Sequence, residues 1–220
     1  MKVAASLDGR TALKNGESRW ITSPQARADG HTWRSRADAV LTGIGTVLAD
    51  DPRLDVRLAP VTRQPALAVV DSRLRTPLDA QLFLPDRGLH LYSAGGTDPD
   101  HAAALTARGA RVMVFPGGMG RVDLGDVMQD LYEQGVKVLH VEAGAELNGA
   151  LLRAGLVDEL LLYLAPSLLG EGRGMAELGP LAALSQAQNM SFDSIERIGP
   201  DLRILARLQA TPPVASGRPF

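Results

Sequence analysis

Residues 39–52 read AVLTGIGTVLADDP, and this stretch decides the fold class of the chain. Ala39–Thr42 is a short apolar run that is typical of a buried strand. Ile44–Ala49 predicts a short helix that stops at Asp51-Pro52, because the residue before a proline disfavours helical backbone. A strand that turns directly into a helix is the repeating unit of parallel α/β sheets. The stretch therefore predicts an α/β domain.

The same alternation of strands and helices continues in both directions along the chain. Five further apolar runs predict buried strands, and four further segments predict helices between them. The strands are Val3–Leu7, Ala66–Val70, Leu89–Tyr92, Val112–Phe115 and Val138–Val141, and the helices are Pro24–Arg36, Pro99–Arg108, Leu124–Gln134 and Glu146–Ala154. The first of these helices has Ser23 as its predicted N-cap.

After Asp158 the pattern changes from alternation to consecutive strands. Glu159–Ala165 predicts a strand, and Ser191–Ile198 and Leu202–Gln209 flank Gly199-Pro200-Asp201 as an antiparallel hairpin. We therefore predict a mixed, mostly parallel sheet, flanked by helices and antiparallel at one edge. Residues 1–210 are expected to form a single domain. Residues 211–220 contain three prolines and no periodicity, and we expect a disordered tail there.

Composition excludes several classes of function. The 220 residues carry a net charge of −2, which argues against nucleic acid as the main partner. The chain has no cysteine, so disulfides and thiolate metal sites are impossible, and no metal site is predicted. Residues 1–20 hold several charges and no apolar run, which excludes a signal peptide, and no later run is long enough to span a membrane. We expect a soluble cytoplasmic protein.

The loop after the first strand has features of a binding loop. It contains Gly9, Gly16 and Ser18, and the glycines permit a close approach of backbone to a ligand. Trp20 lies in the same polar loop, where it either stacks on a ligand ring or anchors the core. The residues of the loop leave both interpretations open.

Arginines on both sides of the stretch 39–52 are candidates for an anion site. Arg34 lies near a helix end, and Arg53 and Arg57 follow the Asp-Pro break. Their planar guanidinium groups match the oxygens of a phosphate. The alternative is that each is an ordinary solvated side chain. The glycine turn Thr42–Thr46 also suits an anion, because it presents free N–H groups at a helix start.

Two other strand ends carry polar groups at the edge where open α/β sheets bind ligands. Ser72 and Arg73 follow one strand and would suit the 2′-phosphate of NADPH, although a simple polar turn is the alternative. Glu142 ends another strand, directly before the glycine-containing turn at Gly144. A phosphate on that turn would repel Glu142, so we expect this carboxylate to face a substrate. The alternative is an acid that stabilises a helix start.

Six strings, taken in order, resemble the reductase domain of the bifunctional riboflavin-biosynthesis deaminase/reductase. The resemblance runs from Lys2 to about Leu208. The strings are KVAASLDGRTA (2–12), GESRWITSPQAR (16–27), ADAVLTGIGTVLADDPRLDVR (37–57), VVDSRLRTP (69–77), VEAGAELNGALLRAGLVDELLLYLAPSLLG (141–170) and IGPDLRI (198–204). This resemblance implies a dihydrofolate-reductase-like fold and a homodimer. It also implies NADPH-dependent reduction of the ribosyl group of 5-amino-6-(5-phosphoribosylamino)uracil to the ribityl group.

The resemblance also implies which residues form the site. Substrate contacts are expected at Ser18, Thr22, Arg34, Leu54, Arg57 and Glu142. NADPH contacts are expected at Ala4, Trp20, Thr46, Asp50, Ser72 and the turn of Gly144, Ala145, Glu146, Leu147, Asn148, Gly149 and Ala150, with Arg73 added by the strand-end argument. We expect Arg34 and Arg57 to clamp the phosphate. Lys2, Asp50 and Glu142 are candidate catalytic residues for proton handling, and the sequence does not rank them.

One expectation about deamination and two rival functions follow from the same residues. The family's deaminase half needs a histidine or cysteine cluster with a glutamate, which the sequence lacks, so deamination is expected from a separate domain or protein. A dihydrofolate-reductase-like enzyme acting on another pterin or pyrimidine is the nearest rival function. A non-catalytic nucleotide-binding regulator with the same fold is the second.

Overall fold

Eleven strands and five α-helices make up residues 1–209, the part of the chain that this computed structural model describes. The strands are β1 Lys2–Ser6, β2 Arg10–Leu13, β3 Ala39–Gly43, β4 Ala66–Val70, β5 Leu89–Ser93, β6 Ala110–Val114, β7 Leu139–Val141, β8 Glu159–Ala165, β9 Gly172–Gly174, β10 Met190–Ile198 and β11 Asp201–Leu208. The helices are α1 Pro24–Ser35, α2 Ile44–Asp50, α3 Pro99–Ala107, α4 Leu124–Glu133 and α5 Ala145–Arg153. The predicted tail at 211–220 lies outside the described residues.

A five-stranded parallel sheet forms the part of the fold that holds the first predicted unit. Its strand order is β6-β5-β4-β3-β7, and every pair is parallel. Leu41 and Leu67 have no exposed surface, as expected when side chains from both faces of a sheet are covered by helices. Because the strands are parallel, Gly43, Val70 and Val141 end at the same edge. That edge positions the residues that follow them.

The second sheet has the order β1-β8-β11-β10. Its β1 and β8 are parallel, whereas β8–β11 and β11–β10 are antiparallel, and β10 and β11 form the predicted hairpin around Gly199. The predicted mixed α/β class is therefore confirmed. Apart from a short two-stranded ribbon, the strands pair as two sheets and not as the one sheet we expected, because apolar runs identify strands but not their partners.

A short ribbon of β2 and β9 was not predicted. These strands pair antiparallel with a register shift between Arg10 and Ala12. Arg10–Leu13 and Gly172–Gly174 have only four and three residues, and neither shows a run of buried apolar side chains. The ribbon extends from the loop that the sequence analysis treated as a binding loop.

Helix α1 begins where the sequence predicts. The hydroxyl of Ser23 accepts a hydrogen bond from the Ala26 N–H at 3.2 Å, and Pro24 occupies the first helical position. The carboxylate of Asp201 in turn accepts the Ser23 N–H at 2.7 Å, which ties the helix start to the hairpin. Within residues 1–209, no helix has the length and apolar character needed to cross a membrane.

Helix α5 is covered on one side by the segment Met175–Glu177. The Glu177 N–H donates to the Ala145 carbonyl at 2.9 Å, and the Asn148 side-chain amide donates to the Met175 carbonyl at 2.9 Å. A Cβ atom at Gly149 would overlap the backbone of Glu177. Gly149 therefore lets this segment pack directly on the helix.

Replacing Gly149 with alanine should destabilise the fold by about 1–3 kcal/mol, because the added methyl group forces the Met175–Glu177 segment away from α5. Urea unfolding measures this change. Gly45→Ala is the matched control, since Gly45 is also helical but has open space around its Cβ position. It should be neutral, or stabilising by up to about 1 kcal/mol. Equal effects of both substitutions would contradict the packing argument.

Candidate functional site

A cleft of about 1250 Å³ opens where β3, β4 and β7 end. Polar residues that follow these strands lie on its walls, among them Thr46, Ser72 and Glu142. Residues of β1, the loop before α1 and α1 itself also line it. The carboxyl edge of a parallel sheet is the usual place for a ligand in open α/β folds.

The cleft brings together nearly every residue that the sequence analysis assigned to a site. The predicted residues that line it are Lys2, Ala4, Ser18, Trp20, Thr22, Arg34, Thr46, Asp50, Leu54, Arg57, Ser72, Arg73, Glu142, Gly144, Ala145, Glu146, Leu147 and Ala150. Asn148 and Gly149 lie instead against the Met175–Glu177 segment. These two residues pack on that segment and are not among the residues that line the cleft.

A nearly buried ion pair lies at the centre of the cleft. Arg34 Nε donates to Glu142 Oε1 at 2.6 Å, and Arg34 Nη2 donates to Oε2 at 2.9 Å. Arg34 Nη1 also donates to the Asp55 carbonyl at 2.5 Å. Arg34 was expected to clamp a phosphate, but three of its donor groups are already engaged within the protein. Its position in α1 places it against the carboxylate at the end of β7, which the sequence could not show.

Two other basic side chains approach the Glu142 carboxylate. Lys2 Nζ lies 3.9 Å from Oε2, and His140 Nε2 lies 3.3 Å from Oε1. Burial alone would raise the pKa of Glu142, but Arg34, His140 and Lys2 hold that pKa well below its usual value. Glu142 is therefore a carboxylate at neutral pH. The alternative of a helix-start acid is wrong, because its side chain binds Arg34 and α5 begins after Gly144.

Asp55 organises a second group of charges beside this pair. Its carboxylate is buried, lies 2.9 Å from Arg53 Nη2 and contacts Arg57 Nη1. Arg53 and Arg57 remain about half exposed toward the cleft. Arg87 stabilises the segment that carries these arginines, because its Nη1 donates to the Leu54 carbonyl at 2.7 Å. Two guanidinium groups are thus fixed at one wall with donors left for a ligand.

The sequence analysis did not identify Asp55 or Arg87 as site residues. Asp55 lies between Arg53 and Arg57 in the sequence. Its negative charge at this position could have indicated that it pairs with these arginines. Arg87 is distant in sequence from the segment it supports, so no local pattern points to it. Burial lowers the pKa of Arg87 to about 10 against the opposing effect of Asp55. Its guanidinium therefore stays charged at neutral pH.

Trp20 stands exposed on the cleft wall. Its side chain is 69% exposed, and the guanidinium carbon of Arg27 lies 4.3 Å from the ring centroid. The alternative of a core anchor is therefore wrong. The guanidinium carbon of Arg19 also lies 5.9 Å from the ring centroid, so the exposed indole lies among cations at the cleft.

Asp50 lies at a different part of the cleft from the other two candidates for proton handling. Its backbone carbonyl accepts from Arg19 Nη2 at 2.8 Å, and its exposed carboxylate lies 3.5 Å from the same atom. In the described chain it has no hydrogen bond or ion pair with Lys2 or Glu142. The structure thus groups Lys2 with Glu142 and separates Asp50 from them.

The far end of the cleft suits a phosphorylated nucleotide. Helix α5 starts at Gly144 without a side-chain cap, which leaves the N–H groups of its first turn available. Ser72 Oγ accepts the Val122 N–H at 3.2 Å, and Arg73 and Arg75 are exposed next to it. Arg121 pairs with Glu146 at the same rim and so offsets the charge of this carboxylate.

Comparisons with known proteins agree on one family. Residues 1–204 match the RibD C-terminal domain. Riboflavin biosynthesis protein RibD of Escherichia coli is 40% identical over 210 residues, covering 92% of this chain and 57% of the relative. The structure of Acinetobacter baumannii RibD, form 1, is 32% identical with a TM-score of 0.81, covering 95% of this chain and 57% of that one. The chain thus spans somewhat more than half the length of these relatives.

A third comparison supports the fold alone. The Thermotoga maritima structure described as a diaminohydroxyphosphoribosylaminopyrimidine deaminase/5-amino-6-(5-phosphoribosylamino)uracil reductase is 22% identical. Its TM-score is 0.78, with 94% of this chain and 55% of that chain covered.

The substitution Glu142→Gln should lower the free energy of unfolding by about 3 kcal/mol at neutral pH, because it leaves the buried Arg34 without its counter-charge. The folded pKa of Glu142 is below its unfolded value, so the unfolded chain binds more protons at acid pH. The stability that the wild type owes to this carboxylate is complete above its ordinary pKa and is lost as the pH falls below it.

Urea unfolding over a pH series measures this effect. The difference between wild type and Glu142→Gln should shrink as the pH falls below about 4.5. Glu171→Gln is the control, since Glu171 pairs with Lys14 in an exposed position and should contribute about 0–1 kcal/mol. A difference that does not change with pH would contradict the ionised state of Glu142.

Proposed function

The chain belongs to the RibD C-terminal domain family, and we propose that it is an NADPH-dependent reductase of 5-amino-6-(5-phosphoribosylamino)uracil. The reaction converts the ribosyl group of this pyrimidine to the open-chain ribityl group. The carrying observation is a single cleft with fixed arginines at one wall and an uncapped helix start at the other. The Thermotoga maritima protein of the same fold bears the name of this reductase.

The charge around Asp55 and Glu142 supports a phosphorylated substrate. Four cationic side chains surround these two carboxylates, namely Lys2, Arg34, Arg53 and Arg57. The resulting excess of positive charge favours a phosphate monoester, which carries about −1.5 to −2 near neutral pH. Arg53 and Arg57 are the exposed members, so they bind the phosphate, and Arg34 holds Glu142. This wall favours a phosphorylated ribose over the pterin of the rival function.

The residues at the other end of the cleft fit NADPH. The uncapped start of α5, from Gly144 to Leu147, suits the pyrophosphate, and Ser72 and Arg73 suit the 2′-phosphate. When bound, NADPH supplies the hydride that reduces the substrate. The exposed ring of Trp20 and the side chain of Thr46 line the space between the two ends.

The group around Glu142 orients the sugar and supplies a proton. Reduction of the ring-opened substrate adds a hydride at the former anomeric carbon and a proton at the attached nitrogen. Glu142 is fixed as a carboxylate, so it accepts hydrogen bonds from ribose hydroxyls and does not donate a proton. Lys2 Nζ lies 3.9 Å from Glu142 Oε2, and we assign the proton transfer to this atom.

Three further properties belong to the same proposal. We propose a cytoplasmic homodimer whose deamination step is carried out by a separate domain or protein. Strand β10 supports the dimer, because it pairs only with β11 within residues 1–209 and exposes Phe192 and Ile195.

NADPH oxidation with and without the phosphoribosyl pyrimidine tests the proposed function. Oxidation that needs this substrate supports it, whereas oxidation with a pterin alone supports the rival enzyme. Oxidation with neither, in a protein that still binds NADPH, supports a non-catalytic regulator.

The substitution Arg57→Ala should raise the apparent KM for the phosphoribosyl substrate by about ten- to one-hundred-fold, because it removes a charge-assisted hydrogen bond worth about 1.5–3 kcal/mol. Steady-state kinetics at saturating NADPH measure it. Arg197→Ala on the hairpin, outside the cleft lining, is the control and should leave KM unchanged. An unchanged KM for Arg57→Ala would refute the phosphate assignment.

Ser72→Ala and Arg73→Ala should weaken NADPH binding more than NADH binding, because only NADPH carries the 2′-phosphate. Fluorescence titration of both nucleotides gives the two dissociation constants. We expect a loss of about ten-fold for NADPH with Arg73→Ala and little change for NADH. Equal losses for both nucleotides would remove the 2′-phosphate from this strand end.

A further inference from the structure

His31 is a site-lining residue with no role in the function described so far. It lies on α1 three residues before Arg34, so the two side chains share one face of the helix. The residue is 7% exposed and lines the cleft. Its ring thus lies between the Arg34–Glu142 pair and the segment that carries Arg57.

The hydrogen bonding of His31 defines its protonation. Its Nδ1 accepts the backbone N–H of Arg57 at 3.3 Å. A neutral imidazole that accepts at Nδ1 carries its proton on Nε2. Within residues 1–209, Nε2 has no hydrogen-bond partner. The atom is not fully buried, unlike the partnerless polar atoms in the interior of the protein. This N–H therefore reaches the cleft with a hydrogen to donate.

Burial, together with two neighbouring arginines, keeps the ring of His31 neutral. Burial, Arg34 on α1 and Arg57 lower the pKa of His31 to about 4, while Glu142 after β7 and Asp55 oppose the shift. The ring is therefore uncharged at neutral pH. It presents a hydrogen-bond donor to the cleft without adding a titrating charge.

We propose that His31 is a further substrate-contacting residue, which donates its Nε2–H to an oxygen of the phosphate that Arg57 binds. This inference rests on the proposed function for the presence of a phosphate. The imidazole ring that carries this donor already accepts the backbone N–H of Arg57. A neutral donor and a charged donor at the same wall add to the selection of a phosphate over a carboxylate, since the phosphate has more acceptor oxygens.

Two substitutions separate the ligand contact from the contact to Arg57. The Asn side chain in His31→Asn carries an acceptor at the position of Nδ1 but does not reach the position of Nε2. The Gln side chain in His31→Gln carries a donor near the position of Nε2 but loses the acceptor near Nδ1. Binding of ribose 5-phosphate to the full chain, measured by calorimetry, serves as the readout, with thermal unfolding to confirm that each variant is folded.

We expect His31→Asn to weaken ribose 5-phosphate binding about ten-fold and His31→Gln to stay within about three-fold of wild type. The reverse order, equal losses, or no loss in either variant would overturn the proposal in favour of a structural role. His101→Asn and His101→Gln are the matched controls on α3, where His101 contacts the Thr76 carbonyl, and both should bind as wild type does.

Two further results complete the test. Wild-type binding should not strengthen as the pH falls through the ordinary histidine range, and a strengthening that His31→Gln lacks would mean that a charged ring is the ligand, against the proposal. A wild type that does not bind ribose 5-phosphate overturns the inference for His31, even if pyrimidine-dependent NADPH oxidation supports the proposed function. Binding without such oxidation refutes the proposed function and keeps His31 as a phosphate contact.

Discussion

The bidentate ion pair of Arg34 and Glu142 is the interaction on which the cleft depends. It joins α1 to the end of β7, two elements far apart in sequence, with both partners largely buried. A buried charge without its partner is costly, so neither side chain can leave the pair cheaply. The third bond of Arg34, to the Asp55 carbonyl, extends the same constraint to the segment that carries Arg53 and Arg57. One guanidinium thus holds Glu142 and the segment of Arg53 and Arg57 together.

The carboxylates of Glu142 and Asp55 have different roles in the cleft. Glu142 is surrounded by Arg34, Lys2 and His140, and it stays ionised and oriented as an acceptor. Asp55 is almost fully enclosed, and it holds two arginines whose other donors still face the cleft. The wall of the cleft therefore presents a fixed hydrogen-bond acceptor next to fixed guanidinium donors. Because the charges are held in place before a ligand arrives, little reorganisation accompanies binding.

Local patterns in the sequence predicted the strands and helices well, and the strand ends correctly led to one shared edge. Apolar runs such as Ala66–Val70 and the Ser23-Pro24 start are local signals, whereas pairing partners are not. For that reason the division into two sheets, the β2–β9 ribbon and the support of Leu54 by Arg87 were missed. The packing role of Gly149 depends on a segment that follows it at a distance, so the glycine alone was read as part of a nucleotide turn.

The most direct test of the account follows a single atom from cofactor to product. NADPH that carries deuterium at both C4 positions of its nicotinamide ring is incubated with the protein and 5-amino-6-(5-phosphoribosylamino)uracil, and the product is examined by NMR and mass spectrometry. The proposed reaction places one deuterium at the former anomeric carbon of a ribitylamino product. A product without deuterium, or oxidation of NADPH with an unchanged ribosyl group, would contradict it.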